Sequence, residues 1–305
     1  MQTIIFTAVI DVKSQINKLQ KLNWFEKNLN HVNNQRIFVF LQTTLRPVML
    51  NTEARQQLQK ALPLDMVATK SWLETQGLNL HFLDNAVRSQ TLIPLVAGVY
   101  ARQEAKLSWK GIVASLQRMS DAPIHVGSLT ALELEGLGHY LSKGSKPRVQ
   151  LYSDASLPRW LGRIDAPAQF EWHGTRRLWP ETLMHDDKYL RQDTWQVSLP
   201  PLHYSCPEKA ILELLAAVPN TISFEHADQL MQGLHNLSPR KLDALLKACC
   251  SIKAKRLFLW LAGRHQHAWL KHLTPDHYAL GTGKRLIAKG GKLEPIWQIT
   301  IPKEM

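Results

Sequence analysis

His81, Asn85 and Arg88 stand four and three residues apart, the spacing that brings side chains onto one face of a helix. Asn79, Ser89 and Gln90 border that face. An Asn or Gln amide pairs bidentately with adenine in the major groove and an Arg guanidinium with guanine, so this set has the chemistry to read base edges. Around it, Arg55, Lys60, Thr69 and Lys70 are candidate anchors for backbone phosphates, and Arg102 is a candidate for a phosphate or the minor groove. Asp84 acts in the opposite direction, since a carboxylate beside that face repels phosphate. A small packing module with a merely solvated polar face fits the same pattern.

A second group is cationic. Between Ser251 and Lys292 stand Lys253, Lys255, Arg256, Arg264, Lys271, Lys284, Arg285, Lys289 and Lys292 against one acid, Asp276, with four histidines interleaved. Such a run suits an RNA, DNA or acidic-protein surface, and equally the solvated side of an ordinary helix and hairpin.

Catalytic fragments are less coherent. Gly281-Thr282-Gly283-Lys284 evokes a phosphate loop, but no glycine stands five residues before Gly283, and Arg285 replaces the Ser or Thr that would hold magnesium. Cys249, Cys250, His265, His267, His272 and His277 are metal-ligand types without C-x-x-C spacing, and adjacent helical cysteines diverge by about 100°. His185-Asp186-Asp187 lacks a partner at the spacing of a metal-dependent hydrolase. Glu104-Ala105-Lys106 has the form of a nuclease E-x-K, with Asp84 as the only upstream acid to join it. The expectation is therefore a protein without catalytic residues, metal or cofactor.

The elements that must position the first group have a definite order. Asn51 or Thr52 caps a helix through Leu62; Thr69 caps a short helix over residues 70–76; Gly77 supplies a left-handed turn; a third helix covers about 80–89. Residues 92–96 and 99–101 then flank a tight turn at Ala97-Gly98. This is the order of a winged helix-turn-helix, assigned to residues 49–106. Residues 107–305 alternate helices and strands: a helix over 108–119, a strand at 124–126, a helix through Leu137 with Thr130 and Glu133 at capping-box spacing, and strands at 148–152, 169–172 and 194–199. Helices follow at 207–217, 224–234, 239–248 and 252–266, then strands at 285–288 and 295–301 about a turn at 289–292. The fold class is α+β, a winged helix-turn-helix followed by a mixed α/β domain. Residues 1–48, with a strand-like run at 36–41, read as an extension or as an upstream translation start, with the two-domain plan beginning near Met49.

Across 305 residues, 37 Lys and Arg face 25 Asp and Glu, a net charge of +12 that favours phosphate-rich partners. With 45% hydrophobic and 20% charged residues the chain is neither disordered nor fibrous, and three cysteines build no disulfide framework. The apolar start lacks a basic region and is cut short by Asp11 and Lys13, and no apolar run is long enough to span a bilayer, so the expected location is the cytoplasm.

From about Thr52 to Pro302 the chain resembles the AbiEi antitoxins of type IV toxin–antitoxin systems. The resemblance is carried by Val67-Ala68-Thr69-Lys70-Ser71-Trp72-Leu73, by HVGSLTALELEGLGHYL at 125–141, PEKAILELL at 207–215, KAKRLFL at 253–259, LGTGKR at 280–285, KGGKL at 289–293 and QITIP at 298–302. It implies a winged domain that binds the operator of its own operon and represses it. It also implies a C-terminal antitoxin domain that opposes a nucleotidyltransferase-like toxin, thought to do so without a stable complex. The family's DNA-facing positions map onto His81, Asn85 and Arg88 with Lys70, and its tail leaves Lys284, Arg285, Lys289 and Lys292 for a partner. Joined with the residue chemistry above, the expected DNA-binding set is Thr69, Lys70, Asn79, His81, Asn85, Arg88, Ser89 and Arg102, and the expected antitoxin surface Lys253, Lys255, Arg256, Lys284, Arg285, Lys289 and Lys292. The wing sequence Ala97-Gly98-Val99-Tyr100 departs from the family's Arg-Gly-x-Tyr. The competing readings are a winged regulator whose second domain dimerises or senses a ligand, and a DNA-processing nuclease.

Overall fold

The computed structural model describes residues 52–138, 146–184 and 186–305. The expectations for residues 1–48 and for His185 lie outside them. The chain first forms α1 (Thr52–Ala61), β1 (Ala68–Thr69), α2 (Lys70–Thr75), α3 (Leu80–Arg88), β2 (Leu92–Val96) and β3 (Val99–Arg102). The strands make an antiparallel sheet in the order β1-β3-β2, so the module has the elements of a winged helix-turn-helix in the expected sequence. Gly77 joins α2 to α3 at φ +84°, a left-handed conformation that glycine adopts without a side-chain clash. Leu58, Leu73, Leu83, Ala86 and Leu92 form its core.

Helix α4 (Trp109–Met119) is shared between this module and the rest of the chain. Its cap residue Ser108 donates from backbone N–H (2.7 Å) and hydroxyl (2.9 Å) to the Asp65 carboxylate, and Ser115 accepts the Val67 N–H at 2.9 Å. Its other side packs on the central sheet. That sheet has the order β6-β5-β4-β8-β7, from β4 (Ile124–Val126), β5 (Arg148–Ser153), β6 (Gln169–Gly174), β7 (Leu190–Asp193) and β8 (Leu202–Ser205). The β5/β6 and β4/β8 pairs are parallel, and β4/β5 and β7/β8 antiparallel. Helix α5 (Ser128–Leu134) follows β4, and α6 is the single turn Glu181–Met184. The remaining helices are α7 (Pro207–Ala217), α8 (Phe224–Gly233), α9 (Pro239–Ala248) and α10 (Ile252–His265), and a hairpin of β9 (Lys292–Glu294) and β10 (Ile299–Ile301) ends the chain.

Four sequence expectations are corrected. Thr130 does not cap α5; its hydroxyl donates to the Gln150 side chain at 2.7 Å, and the helix starts two residues earlier behind Gly127. Residues 194–199 form a turn, not a strand, because Trp195 and Leu199 are drawn onto the winged module's core. Residues 285–288 contribute only an isolated bridge, Arg285 to Ile299. The final hairpin turns at 295–298, where the Glu294 carboxylate accepts the Ile296 and Trp297 N–H groups, rather than at 289–292.

Helix α7 is buried from Pro207 to Leu215 between α5, α9 and α10. It nevertheless carries Lys209 and Glu213, both fully inaccessible. Glu213 accepts hydrogen bonds from His125 Nε2 (2.9 Å), Ser128 N–H (3.1 Å), Trp179 Nε1 (3.2 Å) and the Ser205 hydroxyl (2.9 Å). Burial works to raise its pKa, but His125, Lys209 and the Ser128 N–H outweigh that and hold it below the ordinary carboxylate value. Burial, reinforced by Lys209, depresses His125, which is therefore a neutral donor near pH 7. Lys209 attracts Glu213 only through space: its Nζ is buried without a hydrogen-bond partner, and burial lowers its pKa.

Glu213→Gln removes the main electrostatic support of that buried ammonium and the acceptor of four donors, and a loss of about 3–5 kcal/mol is expected in urea unfolding. A loss below about 1 kcal/mol would show that Lys209 is uncharged in the fold. His125, His173 and His267 are all held below the usual imidazole value, burial being the largest cause. The unfolded chain then binds more protons than the native one, so their contribution is whole above about pH 6.5 and falls as the pH drops toward the native pKa values. The urea midpoint should decline from about pH 7 to pH 5.5, with a shallower slope in His125→Gln; identical slopes would exclude His125 from the effect.

Candidate nucleic-acid interface

Side-chain caps hold α2 and α3. Thr69 Oγ1 accepts the Trp72 N–H at 3.2 Å, and Asn79 Oδ1 accepts the Phe82 N–H at 2.8 Å. Both satisfy donors that a helix start leaves open. The Lys70 N–H donates to the Gly98 carbonyl at 2.8 Å, tying the start of α2 to the wing turn. Arg118, on α4, lies over the Trp72 ring at 4.9 Å and donates to the Ala61 carbonyl.

On α3, His81 and Arg88 are exposed, with Arg88 in the last turn, where a cation meets the negative end of the helix dipole. Asn85 is not on that exposed face. It is 7% exposed, and its amide is 3.1 Å from His81 Nδ1, so it orients the histidine from below. The cause is rotational: the buried stripe of Phe82, Leu83 and Ala86 extends far enough round α3 to include position 85. Ser89 donates to the Ala86 carbonyl at 3.2 Å and meets the Thr91 hydroxyl at 3.0 Å, joining the end of α3 to the wing. Arg102 is half-buried on β3 opposite Leu92. Asp84 lies 4.0 Å from Lys70, so the acid that opposes phosphate already has a cation beside it. Leu80, 51% exposed at the first position of α3, and Ile93 on the wing add apolar contact area that polarity alone does not single out.

The C-terminal cations divide. Lys253 donates to the Ala216 and Val218 carbonyls, both at 2.6 Å, and so caps the end of α7. Lys255 is 2% exposed, and burial lowers its pKa. Arg256, 4% exposed, donates to the carbonyls of Leu280 (2.9 Å), Gly281 (2.9 Å), Gly283 (2.7 Å) and Gln298 (3.2 Å). The expectation that these three belong to an exposed surface is corrected: their donors are directed at backbone carbonyls or enclosed by the core. Lys284, Arg285, Lys289 and Lys292 are exposed. The Gly281-Thr282-Gly283-Lys284 segment is thus a loop shaped by one buried guanidinium, and Lys289 borders a recess of about 640 Å³ with Phe224, Leu286 and Lys303.

Among the described residues no group of three His, Cys, Asp or Glu could hold a metal ion. Burial pushes the Cys249 thiol up to about 11, and Cys250 is exposed. His267 Nε2 is taken by the Met231 carbonyl at 2.7 Å and His265 by Asp228 at 2.8 Å. The residues that pattern reading missed are Glu213, His125 and Lys209. Their one sequence signal is a Lys and a Glu four apart in the run 207–215, which is apolar apart from these two and Glu208.

The family model for the AbiEi antitoxin N-terminal domain of transcriptional regulators matches residues 51–143, and that for the transcriptional-regulator AbiEi antitoxin of type IV toxin–antitoxin systems matches residues 146–302. No curated protein matches the chain. Among solved structures, the RV2827C protein from Mycobacterium tuberculosis is similar over 77% of this chain and 85% of that one, at 18% identity and a TM-score of 0.43.

Removing the Arg256 guanidinium strips hydrogen bonds from four carbonyls at once. Arg256→Met is expected to cost roughly 2–4 kcal/mol by urea unfolding, whereas Lys284→Met should stay within about 0.5 kcal/mol. Equal effects would show that the two cations do not differ in role.

Proposed function

Because the chain belongs to the AbiEi family of transcriptional regulators, the antitoxins of type IV toxin–antitoxin systems, we propose that its winged module binds operator DNA of its own operon and represses transcription. The observation that carries this is α3, capped by Asn79 and presenting His81 and Arg88 outward, with Lys70 and Thr69 at the start of the preceding helix. Arg88 pairs with guanine, His81 reads a base edge in the orientation that Asn85 sets, and Lys70, Thr69 and Arg102 hold phosphates. Asn79 and Ser89 act through the ends of α3, one as its cap and the other as its link to the wing.

The C-terminal domain opposes a nucleotidyltransferase-like toxin without catalysing a reaction. Its exposed cations Lys284, Arg285, Lys289 and Lys292 form the surface for an acidic or nucleic-acid target. No helix among the described residues is long and apolar enough to cross a membrane, and we place the protein in the cytoplasm.

Arg88→Ala should weaken operator binding by roughly 1–3 kcal/mol, read by fluorescence anisotropy at fixed salt; unchanged affinity removes Arg88 from the reading face. Reversing Lys284, Arg285, Lys289 and Lys292 together should reduce rescue from the toxin while leaving operator affinity intact. Loss of both activities, or of neither, would contradict separate surfaces.

A further inference from the structure

The face of the central sheet that meets α5 and α7 is polar where burial favours aliphatic side chains. His125 on β4 is paired with Tyr152 on β5, and Tyr152 with His173 on β6. Their rings stack across the strands, with centroids 5.6 and 4.9 Å apart. One end of this row is anchored on Glu213. The other opens into a cleft of about 330 Å³ between the β5–β6 pair, α5 and the start of α8, within the size range of small-molecule sites, about 300–1,000 Å³.

Several features of the cleft exceed what packing requires. Ser128, on its wall, sits at φ +53°, a conformation costly for a residue with a side chain and of the kind that collects at ligand sites. It is kept there by its N–H bond to Glu213 and by Gly127, where any Cβ would strike the Glu213 carboxylate and the Tyr152 ring. His173 Nε2 is buried without a hydrogen-bond partner. The Glu133 carboxylate stands exposed at the rim and makes no hydrogen bond or ion pair among the described residues, so it is open to a ligand. The unmatched His173 nitrogen costs about 1–3 kcal/mol, which a ligand that hydrogen-bonds to it recovers. At the rim, Lys146 pairs with Asp165 at 2.9 Å and Arg148 with Glu171 at 3.4 Å. Lys146 and Arg148 are exposed, so these pairs hold them weakly and leave them free to turn to an anion.

We propose that this cleft binds a nucleoside 5′-phosphate whose base carries an exocyclic amino group. The base edge donates to Glu133 and meets His173, Leu129 and Ile222 give apolar contact, and Lys146 and Arg148 take the phosphate. The site lies outside the winged module and does not depend on how that module reads DNA.

Isothermal titration of the full chain, without DNA, against GMP, AMP, CMP, UMP and inorganic phosphate tests it. One-to-one binding of an amino-bearing nucleotide about tenfold or more tighter than UMP is expected, the scale of one charge-assisted hydrogen bond, with inorganic phosphate weaker still. Glu133→Gln should abolish the preference over UMP. Lys146→Ala combined with Arg148→Ala should weaken every nucleotide about tenfold or more. All three side chains are exposed at the rim, so the variants are expected to fold, which their melting curves would verify. Failure of every nucleotide to bind, equal binding of UMP, or wild-type affinity in both variants would overturn the assignment.

Discussion

Glu213 is the point on which the C-terminal domain is assembled. One fully buried carboxylate receives donors from β4, from the start of α5, from Trp179 and from the end of β8, while Lys209, one helical turn away, attracts it through space without a hydrogen bond. Burying such a pair stabilises little in itself, because desolvation consumes most of the Coulomb gain. Its effect is selective: any packing that removes one donor leaves an anion in the core. The position of α7 against the sheet is therefore specified by chemistry as well as by its apolar face, and Gly127 is required because the chain passes too close to that carboxylate for a side chain.

Helix α4 carries this rigidity toward the winged module. Asp65 and Val67, on the segment before β1, bond to Ser108 and Ser115 of α4, and Lys110 pairs with Asp193 at 2.7 Å. Trp195 and Leu199, on the turn between β7 and β8, close over the module's core. The winged module is thus mounted on the larger domain through hydrogen bonds and apolar contact with α4 and the β7–β8 turn. The family's N-terminal model runs through α4, β4 and α5 to residue 143, well past the wing, in keeping with how closely these elements are joined.

Net charge, taken alone, overstates the available surface. Of the seven C-terminal cations assigned to the antitoxin surface, Lys253 and Arg256 spend their donors on carbonyls and Lys255 is enclosed. Four remain exposed on the terminal loop and hairpin. The same distinction applies on α3, where Asn85 serves His81 and Arg88 faces solvent.

Local chemistry made much of the fold legible. Thr69 and Ser108 are capping types, Gly77 permits a left-handed turn, Pro207 and Pro239 suit first helical turns, and apolar spacing of three and four marks α4 and α9; each acts within a few residues, so the sequence by itself determined those elements. The motif blocks determined the family. Only the tertiary structure decided the rest, because it depends on partners far apart in the chain. Thr130 turns from capping to Gln150 twenty residues on, residues 194–199 fold onto a distant core instead of extending the sheet, and Arg256 shapes a loop that begins 24 residues later. Glu213 finds His125 across 88 residues. A periodic pattern gives the face on which a charge stands, whereas what waits opposite that face is a property of the assembled fold.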